Sequence, residues 1–339
     1  MKKKNPALDV LRGPLGQILV FVLVISIVQF LNMKGLISSS FVQAVGNTLI
    51  YAIVAIGFCL LLGYSGLATL GTGGFIGIGA YAAYYLIQEF GLPFGVALVI
   101  TVGLAVVIGV VVGFISLRIE GIYLAILTLG LSEIIRNLLM VIKSTVKIDT
   151  DHVRLFGAKI DSTEVYFIIL AVFAVLMWLL FNLINSPTGR AMLAMKNSTS
   201  AAQAMGISLM KFRLLSFVIS VIFAAVGGVL YMLFIRTITT STSTLLTLTT
   251  SLNILGAVII GGAKSLWGTT FGVFIIYGLQ SMFLSNIPFF RENPAFITMV
   301  TGVLIIVVVM FFPGGFAQIV GHLWAKGKQK LSKAGKEGS

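Results

Sequence analysis

The sequence predicts an all-α polytopic membrane protein, and three observations lead to this fold class. Of the 339 residues, 58% are hydrophobic and only 10% are charged, and the mean hydropathy is +1.08. The apolar residues form runs of about 20 residues, the length at which a helix crosses the hydrocarbon core of a bilayer. Glycine and proline separate these runs, whereas a transmembrane β-barrel would show alternating segments of about ten residues.

About ten such runs can be distinguished, and one or more of them are broken or rich in glycine. We predict spans at about residues 15–33, 41–62, 66–87, 93–116, 121–142, 164–185, 211–234, 246–262, 266–285 and 294–312. The lysines before the first run are typical of a signal peptide, but no small-residue cleavage site follows the run. We therefore predict a retained first helix and a single transmembrane domain over residues 1–339.

An even number of spans places both termini on one side of the membrane. Fifteen of the 23 basic residues and three of the ten acidic residues then fall on that side, if Glu133 and Arg136 belong to the far half of their span. Since loops rich in lysine and arginine stay in the cytoplasm, both termini are predicted to be cytoplasmic. The parts outside the spans are then a cytoplasmic tail at 1–14, an extracytoplasmic loop at 143–163, a cytoplasmic loop at 186–213 and a basic cytoplasmic tail at 320–339. The loop 143–163 is mixed in charge, so it is either a solvated connector or a docking surface for an external partner.

The composition disfavours several other functions. The net charge of +13 is concentrated in loops and at the termini, as membrane orientation requires, so it does not indicate nucleic-acid binding. The single cysteine, Cys59, excludes a disulfide or a cysteine-based metal site within one chain. No spacing suggests a catalytic constellation, and the segment Gly261–Ser265 fails the P-loop pattern because Ala263 precedes Lys264. We expect no enzyme activity and no cofactor on this chain, so any ATP would be bound by another chain.

A glycine-rich run from Gly63 to Ala80 is one candidate for function. Glycine lowers helix stability and lets helix backbones approach closely. One interpretation of Gly71, Thr72, Gly73 and Gly74 is therefore tight helix packing. The other is that the glycines break a helix, so that backbone groups face a cavity or a ligand on the translocation path.

Glu133 and Arg136 form a second candidate in the apolar run that begins at Gly121. Residues at i and i+3 share a helix face, so the two charges can neutralise each other. A charge near the middle of a membrane costs about 2.5–3.5 kcal/mol on insertion scales, and such residues usually face the bundle interior or a water-filled path. The pair is either a structural ion pair or part of the translocation path, to which we also assign Thr128.

The loop 186–213 is a polar island between two apolar runs. Pro187 either ends the preceding helix or begins a new one. A short amphipathic helix is predicted from Ser198 to Met205, ending at Gly206, with Thr188 or Ser198 as possible caps. Its Ala and Met face would fit a groove in a partner protein, although a helix lying on the lipid surface is the alternative.

Several segments together resemble branched-chain amino-acid ABC permeases, most closely the LivM-type subunit. They are Gly63–Gly66 through Tyr81, Gly121–Tyr123 through Arg136, Ser186–Met192 with Ala201–Ile207, Leu266–Gly268 and Phe312–Gly315, in the order of the family. The resemblance implies a coupling loop in which Ser186, Pro187, Gly189, Arg190, Met195, Ala202 and Gly206 meet an ATPase.

The same resemblance implies the partners of the chain. They are a LivH-like second permease, two cytoplasmic ATPases that hold ATP and Mg, and an extracytoplasmic substrate-binding protein, in a bacterial-type cell membrane. Urea, nucleosides and sugars are alternative substrates, because proteins of the same fold family move them. An ATP-independent ion-coupled carrier or channel is the alternative of another class.

Overall fold

The computed structural model describes residues 14–119, 121–149, 153–155, 158–159, 161–240, 243–283, 287, 294–311 and 315, and these are mainly helical. The helices are α1 Pro14–Met33, α2 Ser39–Cys59, α3 Thr72–Tyr84, α4 Phe94–Ser116, α5 Ile122–Ile142, α6 Ser162–Asn185, α7 Pro187–Asn197, α8 Thr199–Ala204, α9 Leu209–Ile235, α10 Leu248–Gly261, α11 Leu266–Val273 and α12 Pro294–Phe311. The strands are β1 Thr145–Lys147, β2 Arg154–Leu155, β3 Ala158–Lys159 and β4 Thr237–Thr239.

Six of these helices, α1, α2, α4, α5, α6 and α9, are long and apolar enough to cross a membrane. The prediction of a polytopic all-α membrane protein is thereby confirmed. A helix lies in each of the four other predicted ranges, but those four are not among the six, so the count of about ten spans stays a prediction. The two terminal tails lie outside the described residues, apart from Pro14.

Three of the helices continue into wider, π-helical turns. After α2 comes Leu60–Tyr64, after α3 comes Tyr85–Glu89, and after α11 comes Phe274–Phe283. In the first two, a backbone N–H bonds to the carbonyl five residues earlier, at 3.3 Å from Ser65 to Leu60 and at 3.0 Å from Phe90 to Tyr85. Such turns are rare in proteins, and those that occur are often found at functional sites. Here they lie at the ends of helices that reach the core.

The core forms around α2, α3 and α9. The span of α2 is 83% buried, whereas that of α5 is 11% buried, so α5 lies at the periphery of the chain. Helix α9 packs against α2, α3 and α4. Where α3 meets α9, a Cβ added at Gly79 would lie 2.0 Å from the Ala225 carbonyl oxygen, and one at Gly228 would lie 2.0 Å from that of Ile76. The two backbones are in contact, as the packing interpretation of the glycine-rich run predicts for Gly79.

The bundle has two distinguishable ends. At one of them β1 pairs antiparallel with β4, with Val146 opposite Ile238, so the first part of the loop 143–163 is tied to the segment after α9. Near it, Glu89 accepts a hydrogen bond from the Tyr84 hydroxyl at 2.6 Å, and this bond, together with Lys143, lowers the pKa of Glu89. We call this the strand end, and we call the opposite end, where α6 leads into α7, the α7 end.

Candidate functional site

Helix α7 begins immediately after α6, at a corner made by three residues of the predicted coupling loop. Ser186 donates through its hydroxyl to the Leu183 carbonyl at 2.6 Å and accepts from the Gly189 N–H at 3.5 Å. Pro187 occupies the first turn of α7, where its missing N–H costs nothing. A Cβ at Gly189 would lie 2.2 Å from the Ile184 carbonyl oxygen, so the corner leaves no room for a larger residue. Pro187 thus begins a new helix.

The short helix α8 follows at the predicted place. Ser198, not Thr188, is its cap, and the Ser198 hydroxyl accepts from the Ala201 N–H at 3.3 Å. The helix ends before Gly206, whose φ of +79° is in the left-handed region that glycine adopts without strain. The predicted short helix is confirmed, with the bounds Thr199–Ala204; its amphipathic character stays a prediction, because Ala202 is its one buried residue.

The predicted coupling residues divide into an inner and an outer set. Met195 and Ala202 are buried within this chain, so their side chains shape α7 and α8 and do not present a surface. Arg190 is exposed, and its guanidinium donates to the Asn185 carbonyl at 3.3 Å. Met205, which was not among the predicted coupling residues, is exposed as well. A role of this loop in binding an ATPase stays a prediction.

Lys196 is a residue of this loop that the sequence-based choice of site residues did not include. Its ammonium donates to the carbonyls of Leu62 at 3.1 Å and Gly63 at 2.8 Å, in the π-helical turn after α2. A cation is favourable at the C-terminal end of a helix, where carbonyls lack helical partners. Partial burial and the neighbouring Lys264 lower the pKa of Lys196. Nothing in the local sequence indicates this contact, because the partners are 134 and 133 residues away.

The turn that Lys196 holds is packed against the connection between α10 and α11. A Cβ at Gly63 would lie 1.6 Å from the Ala263 carbonyl oxygen, and the same oxygen accepts from the Cys59 thiol at 3.1 Å. The Tyr64 hydroxyl donates to the Lys264 carbonyl at 3.0 Å. Lys196, the end of α2 and the α10–α11 connection therefore form one junction at the α7 end, which we call the α2 junction.

The glycines of the other candidate site lie at the start of α3. The N–H of Gly73 donates to the Ser251 hydroxyl at 3.0 Å, and that of Gly74 to the Ser132 hydroxyl at 2.8 Å. Leu70 donates in the same way to Thr128 at 3.1 Å. Gly71 and Thr72 begin α3, so a helix does start here, but these three N–H groups bond to hydroxyls instead of facing a cavity. The sequence-based choice of site residues did not include Ser132 and Ser251. Their only sequence signal is that each places a hydroxyl inside an apolar run.

Glu133 and Arg136 lie on the outer part of α5. The Arg136 guanidinium donates to the Glu133 carboxylate, and the two side chains are 25% and 48% exposed, respectively. Ser132, and not Glu133, contacts the start of α3. The predicted ion pair is confirmed, and a direct role in the translocation path stays a prediction.

A polar cavity of about 380 Å³ lies between α2, α10, α12 and the π-helical segment after α11. It is nearer the strand end, because its α10 residues belong to the first two turns of that helix. The described polar residues that line it are uncharged and include Asn47, Thr48, Thr250, Asn253, Gln280 and Thr301. Two other cavities, of about 580 and 760 Å³, are apolar grooves on helix surfaces and are typical of lipid contact. The sequence-based choice of site residues did not include any residue of the polar cavity.

Comparisons with known proteins decide the family. A family model described as the permease component of branched-chain amino acid transport systems matches residues 40–309. The chain belongs to this family. As a permease component, it is part of a transporter and not a catalytic subunit.

Curated relatives agree with this assignment to the branched-chain amino acid permease family. The chain is 31% identical over 225 residues to the high-affinity branched-chain amino acid transport permease LivM of Escherichia coli, and equally to that of Salmonella typhimurium. These matches cover 58% of this chain and 53% of each relative, so the chain spans about half the length of either. A probable LivM of Methanocaldococcus jannaschii is 28% identical over 64% of this chain and 67% of its own length. No solved structure gives a significant match.

Proposed function

We propose that the chain is the membrane-spanning permease subunit of an ABC importer for branched-chain or related amino acids. The family and the names of its relatives support this function. The complete importer would add a LivH-like second permease, two ATPases that hold ATP and Mg, and an extracytoplasmic binding protein. The α7 end would face the cytoplasm of a bacterial-type cell, because the positive-inside rule assigns the basic loops to that side. All ten predicted spans would cross or enter the bilayer.

Besides the family match, one structural observation supports this proposal: α7 and α8 are anchored to the rest of the chain. Arg190 on α7 and Met205 just after α8 are exposed and would meet a partner, while the buried Met195 and Ala202 hold the two helices against the chain. An ATPase can shift a membrane subunit between states only if it contacts those states differently. Lys196 fixes α7 to the end of α2, so the two helices would move together, as such a shift requires.

The periphery of α5 supports the presence of a second permease. Its span is 11% buried in this chain, yet it carries the ion pair between Glu133 and Arg136. Ionised side chains inside a membrane rarely face lipid. A second membrane subunit packed on α5 would remove the pair from lipid and bury the apolar residues beside it.

Glu133→Gln is expected to lower the yield of assembled transporter several-fold. The substitution keeps the shape but leaves Arg136 without its carboxylate, and an unpaired charge in the membrane costs about 2.5–3.5 kcal/mol. Co-purification of the two permeases and leucine uptake measure the two consequences separately. Normal assembly together with normal uptake would exclude both the structural role and the pathway role of Glu133.

The function is tested by reconstituting the chain with its candidate permease partner, ATPases and binding protein in proteoliposomes. Uptake of labelled leucine and valine that needs both ATP and the binding protein is the expected result. Ribose, a nucleoside and urea serve as competing solutes, and uptake of one of these instead of leucine would change the substrate but not the transporter class. Uptake by this chain without ATPase would favour an ion-coupled carrier or a channel.

Arg190→Ala tests the proposed contact with the ATPase. Arg190 is exposed on α7, so its loss is expected to weaken ATPase binding without affecting membrane insertion. Pull-down of the ATPase from detergent and the amount of permease in the membrane are measured on the same variant. ATPase binding equal to the unmodified protein would remove Arg190 from the proposed contact.

A further inference from the structure

We propose that the polar cavity between α2, α10 and α12 binds the transported solute through an ammonium group, as an amino acid zwitterion. This inference rests on the proposed function and adds a binding site to it. The volume of about 380 Å³ lies within the range of about 300–1,000 Å³ that is usual for small-molecule sites.

The cavity is rich in hydrogen-bond acceptors. The Thr48 hydroxyl donates its proton to the Ala44 carbonyl at 2.7 Å, and the Thr301 hydroxyl donates to that of Ile297 at 2.9 Å. A hydroxyl has one proton, so both oxygens can only accept from the cavity. The Asn47 side-chain oxygen is buried and has no partner among the described residues. Since a buried acceptor without a donor costs free energy, a solute that brings N–H donors is favoured here.

An aromatic pair adds a surface that suits a cation. The Tyr51 and Tyr277 rings stack with their centroids 4.0 Å apart and their planes 11° from parallel, and both residues line the cavity. The Tyr277 hydroxyl donates to the Thr250 carbonyl at 3.4 Å, which fixes the ring. Ring faces attract ammonium groups. Among the described residues that line the cavity there is no aspartate or glutamate, so these residues favour an ammonium through acceptor oxygens and ring faces and not through a carboxylate.

The opposite end of the zwitterion has a place in the same cavity. Thr249 and Thr250 belong to the first turn of α10 and line the cavity. The Thr250 N–H donates to the Thr247 carbonyl at 3.2 Å, so it is the dipole at the start of α10 that favours an anion here. With Asn253 and Gln280 providing amide donors in addition, the cavity offers donors for a carboxylate and acceptors for an ammonium.

The cavity is also connected to the α2 junction. Asn47, Thr48 and Tyr51 lie on α2, and Lys196 holds the other end of the same helix. Thr48 and Cys59 are separated by about three helical turns. A displacement of α7 that moves α2 would therefore change the solute site. A transporter needs such a change to expose the solute first to one side of the membrane and then to the other.

The test uses the assembled pair of membrane subunits in nanodiscs, without the binding protein, so that solute selection by that protein does not enter. The double variant Thr48→Val and Thr301→Val keeps the side-chain shapes but removes both acceptor oxygens. We expect it to raise the dissociation constant for labelled leucine about tenfold or more. The pair Thr48→Ser and Thr301→Ser keeps the hydroxyls and is expected to bind leucine as the unmodified protein does. N-acetyl-leucine, which lacks the ammonium, is expected not to compete.

Gln17→Leu is the control, because Gln17 lies in one of the apolar surface grooves and not in the polar cavity. It is expected to leave leucine binding unchanged. Two outcomes would overturn the site while leaving the proposed function standing, provided that the complete transporter imports leucine. In the first, the unmodified membrane pair does not bind leucine. In the second, the valine variant binds leucine as well as the unmodified pair does. Equal competition by N-acetyl-leucine would overturn the ammonium assignment. Failure of the complete transporter to import any amino acid would overturn the proposed function itself, and the zwitterion site with it.

Discussion

Gly228→Ala is expected to prevent the membrane domain from packing. The added Cβ would lie 2.0 Å from the Ile76 carbonyl oxygen and 2.8 Å from the Ala80 nitrogen. These are backbone atoms of α3, which cannot rotate away as a side chain can, so α3 and α9 would have to separate. Overpacking a tight core typically costs about 1–3 kcal/mol and occasionally more, and a clash with rigid backbone atoms belongs at the upper end of that range. The measurements are the yield of monodisperse protein in detergent and its thermal unfolding temperature.

Two glycines provide matched controls for this prediction. A Cβ at Gly103 in α4 or at Gly130 in α5 meets nothing within 4 Å. Gly103→Ala and Gly130→Ala are therefore expected to leave the yield unchanged or to raise stability slightly, since alanine has the higher helix propensity. A Gly228→Ala protein as stable as these two controls would contradict the close backbone contact between α3 and α9.

Lys196→Met is expected to separate ATP hydrolysis from transport. Methionine fills the space of the lysine stem but cannot donate to the carbonyls of Leu62 and Gly63. Charged hydrogen bonds contribute about 1.5–3 kcal/mol each, so the link between α7 and α2 would weaken strongly. In proteoliposomes, leucine uptake should fall about tenfold or more, while ATPase binding and basal ATP hydrolysis remain.

The conservative variant and a control distinguish a coupling role from a structural one. Lys196→Arg keeps a cation with N–H donors and is expected to restore a large part of the uptake. Lys211→Met removes an exposed lysine in the first turn of α9 and should leave the ratio of uptake to hydrolysis unchanged. If Lys196→Met lowers uptake and hydrolysis in equal proportion, the residue supports the fold and does not transmit motion.

The helical elements could be predicted well because their signals are local. The limits of α7 and α8 are set by the backbone and side-chain chemistry of four residues, Ser186, Pro187, Ser198 and Gly206. The pairing of Glu133 with Arg136 was likewise predictable, since it spans one helical turn. The length of the apolar runs did not settle whether the chain has six or ten spans. Three of the runs contain only the short helices α3, α10 and α11, and α3 and α11 continue as π-helical turns.

The candidate sites were predictable only in part. Gly71, Gly74 and Thr128 do come together at the start of α3, but the bonding of the N–H groups there depends on Ser132 and Ser251. Serine in an apolar helix usually bonds to its own backbone, so the sequence did not indicate that these hydroxyls reach another helix. Met195 and Ala202 were predicted to take part in a partner contact, yet their side chains are buried in this chain.

By itself, the sequence determined the class of the molecule, its helices and the position of its polar loop. These depend on composition, on the lengths of apolar runs and on caps that act within a few residues. Only the tertiary structure decided that Lys196 holds the end of α2, that glycines join α3 to α9, and that Asn47 and Thr301 line one cavity. Each of these joins residues that are far apart in the chain, and their contact depends on how the helices pack together, which no local pattern encodes.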